Sequence, residues 1–291
     1  MKIAITGANG FLGRHLLRCW VDRFELVAIS RHAASLRVPC RISDYTSDSL
    51  TPLMEGCQAV VHLAARRPLG LNGAEVMPNV LLDQCVFEAA ERAGVRHVVL
   101  ASTRGVYGGM PAPWCESMQP EPLTLYALAK LQSEQLAAFY RRRGITATVL
   151  RLSQLFGEGE YEGGAVNTFI THAQHKRTVR ISVTGLRREY TYVDDVAQAI
   201  GRVLDSPADG VFNLGSGEVV SMLDMATQVF EAFGRPSADV VVADDAGVST
   251  EFSLMDSSRF RQAFDWRPQF TLRQGALAVA ARMGHATSGV S

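Results

Sequence analysis

The chain has 291 residues, of which 47% are hydrophobic and 20% are charged, and 29 basic side chains balance 29 acidic ones to a formal net charge of zero. This length suits one large domain or two unequal ones. A balanced charge does not indicate a nucleic-acid or membrane partner, and we expect neither.

Cysteine spacing and hydropathy exclude further classes of protein. The five cysteines are odd in number and scattered, and none forms a Cys-x-x-Cys pair, so we predict neither a disulfide framework nor a metal site. No apolar run approaches the roughly 20 residues that a membrane span needs. The first predicted strand begins at Lys2, which leaves no room for a signal peptide. We therefore expect a cytoplasmic protein.

The first 155 residues alternate short apolar runs with longer amphipathic ones. The predicted strands lie at 2–6, 25–30, 59–64, 97–102 and 146–152, and the clearest predicted helices lie at 80–94 and 126–144. Strands that alternate with helices imply right-handed crossovers and a parallel sheet covered on both faces. We predict the α/β fold class, with a doubly wound Rossmann-type sheet that binds its ligands beyond the carboxyl ends of its strands.

Beyond residue 155 this alternation loosens. An acidic, glycine-rich loop spans 157–164, a strand that ends in a turn is predicted at 211–217, and a helix capped by Ser221 is predicted at 221–234. The predicted domain division is a dinucleotide-binding domain over 1–155, to which 190–215 return, and a mainly substrate-binding region over 156–291.

The stretch TGANGFLG joins the first predicted strand to the first helix and contains Gly7, Gly10 and Gly13. In a dinucleotide-binding turn the first glycine makes the tight bend, the second lets a pyrophosphate approach the backbone, and the third lets helix and strand pack closely. Backbone N–H groups at the helix N-terminus then bind the phosphates. We predict a bound dinucleotide here, the alternative being a strand–helix turn without a ligand.

The end of the second predicted strand indicates which dinucleotide binds. NAD-binding folds usually carry an acid there for the ribose 2′-hydroxyl, but this chain has Ser30 and Arg31. A hydroxyl and a guanidinium suit a 2′-phosphate, so the sequence favours NADP, with NAD as the alternative if Arg31 is a solvated loop residue. Asp44 is either a ligand of the adenine amino group or a loop aspartate.

Three further residues indicate proton transfer. Tyr126 and Lys130 are four positions apart in the helix predicted at 126–144, so they lie on one face. An ammonium beside a phenol favours the phenolate, which can exchange a proton with a substrate oxygen while hydride moves to or from a nicotinamide. Thr103 follows the strand at 97–102, at the ligand-binding edge of the sheet, and its hydroxyl can bridge the substrate oxygen and the phenol.

These motifs, in this order, resemble the extended short-chain dehydrogenases/reductases, the branch that contains the nucleotide-sugar epimerases, dehydratases and reductases. The resemblance covers nearly the whole chain. Besides TGANGFLG and YALAK it depends on VVHLAA, ASTRGVYG, RREYTYVDDVA, VFNLGSG and FDWRP, at 60–65, 101–108, 187–197, 211–217 and 264–268.

The resemblance implies a role for each of these residues. Tyr126 would be the acid/base, Lys130 would hold the nicotinamide ribose and tune the phenol, and Thr103 would orient the substrate oxygen. A homodimer packed through the helices at 80–94 and 126–143 is implied as well. Further implied cofactor contacts are Phe11, Leu12, Tyr45, Leu63, Ala64 and Ala65, and the implied substrate contacts are Tyr107 (otherwise a packing residue), Gln154 and Arg188.

Three positions depart from the family's pattern. Arg104 and Gly105 stand where 4,6-dehydratases carry an Asp-Glu pair for elimination, so we do not expect a dehydratase. Gln154 stands where an asparagine usually contacts the substrate. Ala246, ten residues before Asp256, stands where epimerases of this type place an arginine that binds a diphosphate.

The main hypothesis is an NADP(H)-dependent reductase that interconverts a keto group and a secondary alcohol at C4 of a nucleotide-linked sugar. The alternative that uses the same three residues is a nucleotide-sugar 4-epimerase with tightly bound NAD. Two others stay open: a dehydrogenase of a small non-nucleotide hydroxy or keto compound, which the missing diphosphate ligand at Ala246 allows, and a non-catalytic NADP sensor.

Overall fold

The computed structural model of the protein describes residues 1–66, 78–161 and 163–284. Its strands are β1 (Lys2–Thr6), β2 (Glu25–Ser30), β3 (Cys40–Ile42), β4 (Ala59–His62), β5 (His97–Thr103), β6 (Thr146–Leu152), β7 (Gln154–Phe156), β8 (Val179–Thr184), β9 (Arg187–Tyr192), β10 (Gly210–Leu214), β11 (Val219–Ser221), β12 (Val240–Val248) and β13 (Phe252–Ser253). Its helices are α1 (Phe11–Trp20), α2 (Ser47–Met54), α3 (Pro78–Arg92), α4 (Leu125–Arg141), α5 (Ala165–Gln174), α6 (Val193–Asp205), α7 (Met222–Ala232), α8 (Ser258–Phe264) and α9 (Leu272–Arg282).

A seven-stranded sheet forms the centre of the molecule, in the order β10-β6-β5-β4-β1-β2-β3. Every strand pair in it is parallel. From β1 the chain adds β2 and β3 on one side and β4, β5 and β6 on the other, so the strand order reverses between β1 and β4. A sheet of this kind binds ligands at the carboxyl ends of the strands beside that reversal. The predicted doubly wound α/β fold is confirmed.

Helices cover both faces of this sheet, and β1 shows how its residues divide between them. Ile3 and Ile5 pack in the apolar core with α1, α6 and α8, whereas Ala4 packs in the core with α2, α3 and α4. Successive side chains of a strand point to opposite faces, so a strand covered on both sides has to be apolar throughout. This explains why β1, β4 and β5 are continuous apolar runs in the sequence.

A second group of strands lies outside the central sheet. β7, β11 and β13 join β9, and β12 pairs with β8. These strands pack with α5, α7 and α9 around a separate core that includes Phe169, Met225 and Phe230. In the chain β10 lies between β9 and β11, but it pairs with β6 at the edge of the central sheet, where Phe212 and Leu214 are buried. The domain boundary at residue 155 remains a prediction.

Large apolar side chains stay exposed on the adjacent helices α3 and α4. Leu81 on α3 is 65% exposed, and Leu125, Leu128 and Phe139 on α4 are 45%, 37% and 50% exposed. Clustered exposed apolar side chains are typical of protein interfaces. The homodimer through these helices remains a prediction.

The described residues carry neither a candidate membrane span nor a clustered metal site. None of the helices α1 to α9 combines the length and the apolar character that crossing a bilayer requires. Across residues 1–66, 78–161 and 163–284, no three His, Cys, Asp or Glu side chains come together in the way that metal binding demands.

Candidate active site

A cavity of about 410 Å³ opens at the carboxyl edge of the central sheet, where the strand order reverses. Its volume lies within the roughly 300–1,000 Å³ of small-molecule and cofactor sites. The glycine turn, the segments after β4, β5 and β6, and the first turns of α4 supply most of its wall. The lining residues are Gly7, Gly10, Phe11, Leu12, Gly13, Leu63, Ala65, Ala101, Ser102, Thr103, Arg104, Tyr126, Lys130, Leu152, Ser153, Gln154, Leu155, Glu160 and Tyr161.

The glycine turn forms one wall of the cavity. Neighbouring backbone atoms leave no room for a side chain at Gly7 or Gly13. Gly7 has a φ of +70°, and a Cβ there would lie 2.7 Å from the backbone nitrogen of Ala64. A Cβ on Gly13 would lie 2.4 Å from the carbonyl oxygen of Gly7, so α1 starts directly against the turn. The N–H of Gly10 donates to that same oxygen over 2.9 Å. Ala64, a predicted cofactor contact, is therefore buried behind the turn.

Substitution of Gly13 by alanine tests this packing. The added methyl group would collide with backbone atoms of Gly7 and Ala8, which cannot move aside as a side-chain tip can. We expect the free energy of unfolding to fall by about 1–3 kcal/mol and the bound dinucleotide to be lost, as measured by urea unfolding and by nucleotide release. Gly247→Ala is the matched control, because the nearest atom to its new methyl lies 3.9 Å away. Equal stability of the two variants would contradict the packing role.

The predicted cofactor residues near β2 and β3 lie outside the cavity wall. Ser30 is buried and Arg31 is exposed. The Asp44 Oδ1 atom accepts hydrogen bonds from Ser49 Oγ (2.6 Å) and from the backbone N–H and the hydroxyl of Thr46 (2.9 and 2.8 Å). These bonds, that from Ser49 first, lower the pKa of Asp44 to about 2. Asp44 therefore organises the start of α2, and its predicted contact with adenine remains untested.

Tyr45 connects the same region to the glycine turn. Its hydroxyl accepts a hydrogen bond from the Gly7 N–H over 2.9 Å and donates one to the Ile29 carbonyl over 3.2 Å. The ring is buried, so Tyr45 supports the turn from behind. These two hydrogen bonds place Tyr45 to hold the glycine turn in position.

Thr103, Tyr126 and Lys130 all line the cavity, as the sequence prediction requires if they act together. Thr124 caps α4 by accepting a hydrogen bond from the Ala127 N–H over 3.2 Å, which places Tyr126 in the first helical turn. The Thr103 Oγ1 atom accepts a hydrogen bond from the Gly105 N–H over 3.1 Å, so the hydroxyl proton is left for another acceptor. The strand β5 and the helix α4 thus present a hydroxyl, a phenol and an ammonium to one space.

Behind Lys130 lies a buried carboxylate that the sequence motifs do not indicate. Asp83 on α3 has an Oδ2 atom 3.8 Å from Lys130 Nζ, and that oxygen also accepts a hydrogen bond from Ser133. The Asp83 Oδ1 atom lies 2.7 Å from His62 Nε2, and His62 Nδ1 lies 2.6 Å from Thr6 Oγ1. Burial raises the pKa of Asp83, but the charges of Lys130 and His62 and the hydrogen bonds from His62 and Ser133 outweigh it and hold the pKa below its ordinary value.

This group of side chains fixes the ammonium of Lys130. Asp83 and His62 are fully buried, and Lys130 is 2% exposed. A buried charge is stable only when it is paired and hydrogen-bonded, so each member of the group requires the others. The only signal in the sequence was an acid flanked by apolar residues in VLLDQCVF, and the burial of that acid is visible only in the structure.

Tyr107 lies away from the cavity, in the packing position that was the alternative for it. Its ring is fully buried and stacks on Trp114, with centroids 5.5 Å apart. Its hydroxyl donates to Asn213 Oδ1 over 2.7 Å and accepts from Arg151 over 3.0 Å. Arg151 also pairs with Glu134 on α4 over 2.7 Å. The aromatic ring therefore belongs to a buried network that joins β6, β10 and α4, and its predicted substrate contact is corrected.

Of the other predicted substrate residues, Gln154 lines the cavity and Arg188 does not. Gln154 Oε1 accepts a hydrogen bond from Arg104 over 3.1 Å. The Arg188 guanidinium is paired with Glu251 over 2.7 Å, outside the residues that form the wall. A role for Arg188 in diphosphate binding would require that pair to open.

The site fits a nicotinamide dinucleotide. Gly7 and Gly13 let the turn pack directly against the backbone of Ala64 and Ala8, and α1 begins after Gly10 without a side-chain cap from the described residues, which leaves its first N–H groups for phosphate oxygens. Lys130 lies in the same cavity, where it can contact a ribose hydroxyl. The individual contacts remain predictions.

Comparison with known proteins identifies the family to which the chain belongs. The model of the NAD dependent epimerase/dehydratase family matches residues 3–215. The chain belongs to this family. Its resemblance to the extended short-chain dehydrogenases/reductases is confirmed, and it is an NAD(P)-dependent oxidoreductase or epimerase of that type.

The relatives of this chain include proteins named as 4-epimerases and proteins named as 4,6-dehydratases. It is 30% identical over 302 residues to UDP-glucose 4-epimerase from Mycolicibacterium smegmatis, covering 94% of this chain and 96% of that protein. It is 27% identical over 305 residues to dTDP-glucose 4,6-dehydratase from Streptomyces niveus, covering 94% and 90%. These relatives extend along nearly the whole chain.

Two solved structures show the same fold over the full length. UDP-N-acetylglucosamine 4-epimerase from Bacillus cereus superposes with a TM-score of 0.90 at 27% identity, covering 100% of this chain and 99% of that one. MoeE5, solved in complex with UDP-glucuronic acid and NAD, superposes with a TM-score of 0.81 at 26% identity, covering 97% and 100%.

Proposed function

We propose that this protein is a nucleotide-sugar 4-epimerase that keeps NAD bound throughout turnover. The observation that carries the proposal is the convergence of Thr103, Tyr126 and Lys130 on one cavity with the glycine turn. The relatives favour the epimerase over the keto-sugar reductase that the sequence suggested, because one relative at 30% identity and the structure with a TM-score of 0.90 are both named as 4-epimerases. Another relative at 30% identity is named as a dTDP-glucose 4,6-dehydratase.

The residues after Thr103 argue against the dehydratase activity named for another relative. Elimination of water requires an acid and a base near the carbons next to C4, and the residues that follow Thr103 are Arg104 and Gly105. An always-charged guanidinium and a hydrogen atom perform neither task. The cavity therefore suits reversible oxidation at C4 without elimination.

The choice of dinucleotide follows the family and differs from the NADP prediction. The family is described as NAD dependent, and MoeE5 was solved with NAD. Arg31, the residue that suggested NADP, is exposed and outside the cavity wall. NAD is the cofactor that we propose, and NADP is the alternative that the experiment below distinguishes from it.

The roles proposed for the three residues are those that the family resemblance implies. Bound NAD supplies the acceptor and donor of hydride at C4. Tyr126 would take the proton of the C4 hydroxyl, and Thr103, whose Oγ1 accepts from the Gly105 N–H, can donate its hydroxyl proton to the same oxygen. Lys130 lines the same cavity and would hold the nicotinamide ribose. When the sugar has turned its other face, hydride would return to C4 and Tyr126 would return the proton to the oxygen, so the reaction would have no net redox change.

The test is to identify the retained nucleotide and then to assay without added cofactor. Mass spectrometry of the purified protein should find NAD, and the protein alone should interconvert a pair of UDP sugars that differ at C4. Stoichiometric consumption of NADPH by a keto sugar would instead establish the reductase. Oxidation of a small hydroxy compound, with no binding of UDP in calorimetry, would establish the non-nucleotide dehydrogenase.

A further inference from the structure

Two of the departures from the family's pattern meet inside the cavity. Arg104 and Gln154 both line it, and the Arg104 guanidinium donates to Gln154 Oε1 over 3.1 Å. The guanidinium also lies over the ring of the buried Trp114, 5.8 Å from its centroid. These two contacts hold the guanidinium in one place, so it is preorganised for a further partner.

The charge of Arg104 lacks a close counter-ion among the described residues. Within residues 1–66, 78–161 and 163–284, no carboxylate oxygen lies within 4.0 Å of its guanidinium, whereas Arg151 is paired with Glu134 and Arg188 with Glu251. Burial, followed by the charge of Arg188, lowers the pKa of Arg104, while Tyr190, Glu251 and Glu189 oppose the shift. A partly buried cation without a paired anion favours an anionic ligand.

The position of Arg104 in the chain indicates which part of a substrate it meets. It directly follows Thr103, the residue that the proposed function assigns to the oxygen on C4. In a hexose C5 is bonded to C4 and carries C6, whereas the diphosphate is attached at C1, on the opposite side of the ring. A residue next to Thr103 is therefore placed for the groups on C3 or C5, away from the diphosphate, and in a hexuronic acid the carboxylate is the C6 group on C5. The amide nitrogen of Gln154 can donate to the same group, since its oxygen accepts from Arg104.

We propose that Arg104 and Gln154 form a subsite for a carboxylate at C6, so that the substrate is a nucleotide-linked hexuronic acid. This inference rests on the proposed function. A planar guanidinium matches a carboxylate with two parallel hydrogen bonds, which a neutral hydroxymethyl group cannot accept. The same pair would discriminate against neutral sugars, because binding one leaves the charge without a partner.

The test compares an acidic and a neutral sugar in the wild-type protein and in Arg104→Met. Calorimetry with UDP-glucuronic acid, UDP-glucose and UDP gives binding, and conversion to the C4 epimers gives kcat/KM. The wild type should bind and convert the uronate at least about tenfold better than glucose. Arg104→Met should lower the preference for UDP-glucuronic acid over UDP-glucose about 10- to 100-fold. Arg202→Met, exposed on α6, is the matched control and should change nothing.

A second variant keeps the test decisive if Arg104→Met does not fold. Gln154→Glu is nearly isosteric and places a carboxylate on the guanidinium, so it should abolish the preference for UDP-glucuronic acid over UDP-glucose. Equal loss on all three ligands would assign Arg104 to the diphosphate and overturn the subsite. Absence of a uronate preference in the wild type would overturn it as well.

Binding and turnover also separate this inference from the proposed function. A charge-dependent preference in binding without any epimerisation would leave the carboxylate subsite in place and refute the epimerase. Epimerisation in which Arg104→Met leaves the preference for UDP-glucuronic acid over UDP-glucose unchanged would support the epimerase and refute the subsite.

Discussion

Tyr126→Phe is expected to lower kcat about a thousandfold while the bound dinucleotide stays in place. The substitution removes one oxygen, the atom that we propose exchanges a proton with the substrate, and general acid–base catalysis contributes roughly 10²–10⁴ to a rate. The ring still fills its place at the start of α4, so neither folding nor the glycine turn should change. The measurements are kcat with a UDP sugar and the nucleotide content of the purified variant.

Tyr140→Phe is the matched control for this prediction. Tyr140 is on the same helix and is buried against Phe87, with ring centroids 5.1 Å apart, but it lies outside the cavity wall. Loss of its hydroxyl should leave kcat within about twofold of the wild type. If Tyr126→Phe retained full activity in the cell, the protein would be a dinucleotide sensor and not an enzyme that uses this phenol.

Asp83→Ala is expected to lower the free energy of unfolding at pH 7 by about 3–5 kcal/mol, the usual cost of removing one partner from a buried charge pair. Lys130 would lose its nearest carboxylate, and His62 and Ser133 would each lose a hydrogen bond. Urea unfolding measures the change. Asp48→Ala is the control, since Asp48 pairs with Arg92 on the surface with a side chain 91% exposed and should cost less than about 1 kcal/mol.

The pH dependence of this stabilisation follows from the sign of the shift. The pKa of Asp83 is lower in the folded protein than its ordinary value, so its contribution is fully present above the unfolded-state pKa of about 3.9 and is lost as pH falls through the folded pKa. The difference in stability between wild type and Asp83→Ala should shrink as pH falls below about 4. A difference that grew as pH fell below about 4 would contradict the ion pair.

The parts of the fold and site that the sequence predicted are those encoded within a few neighbouring residues. The spacing of Gly7, Gly10 and Gly13 directly after a strand reports local sterics, and the structure shows those steric limits. The separation of Tyr126 and Lys130 by one helical turn is local as well. Parallel topology then brings them to the strand ends, because alternating strands and helices allow few other arrangements.

The parts that the sequence did not predict depend on partners far apart in the chain. Asp83 is 21 residues from His62, and Tyr107 is 106 residues from Asn213, so neither pairing leaves a pattern in a short window. An aromatic residue in a motif looks the same whether it faces a ligand or a core, which is why Tyr107 was predicted to face the substrate. The contact between Arg104 and Gln154 spans 50 residues and became visible only when β5 and β6 were placed side by side.

The return of β10 to the central sheet has a consequence for how the protein can be dissected. A polypeptide cut after β6 would lack β10, the strand that pairs with Thr148 to Leu152. β6 would then be an exposed edge strand with unpaired backbone N–H and C=O groups. An exposed edge strand pairs with strands of other molecules and promotes aggregation. We therefore expect the segment from β1 to β6 to be unstable when it is grafted or expressed by itself, since a strand encoded almost 60 residues downstream of β6 completes its sheet.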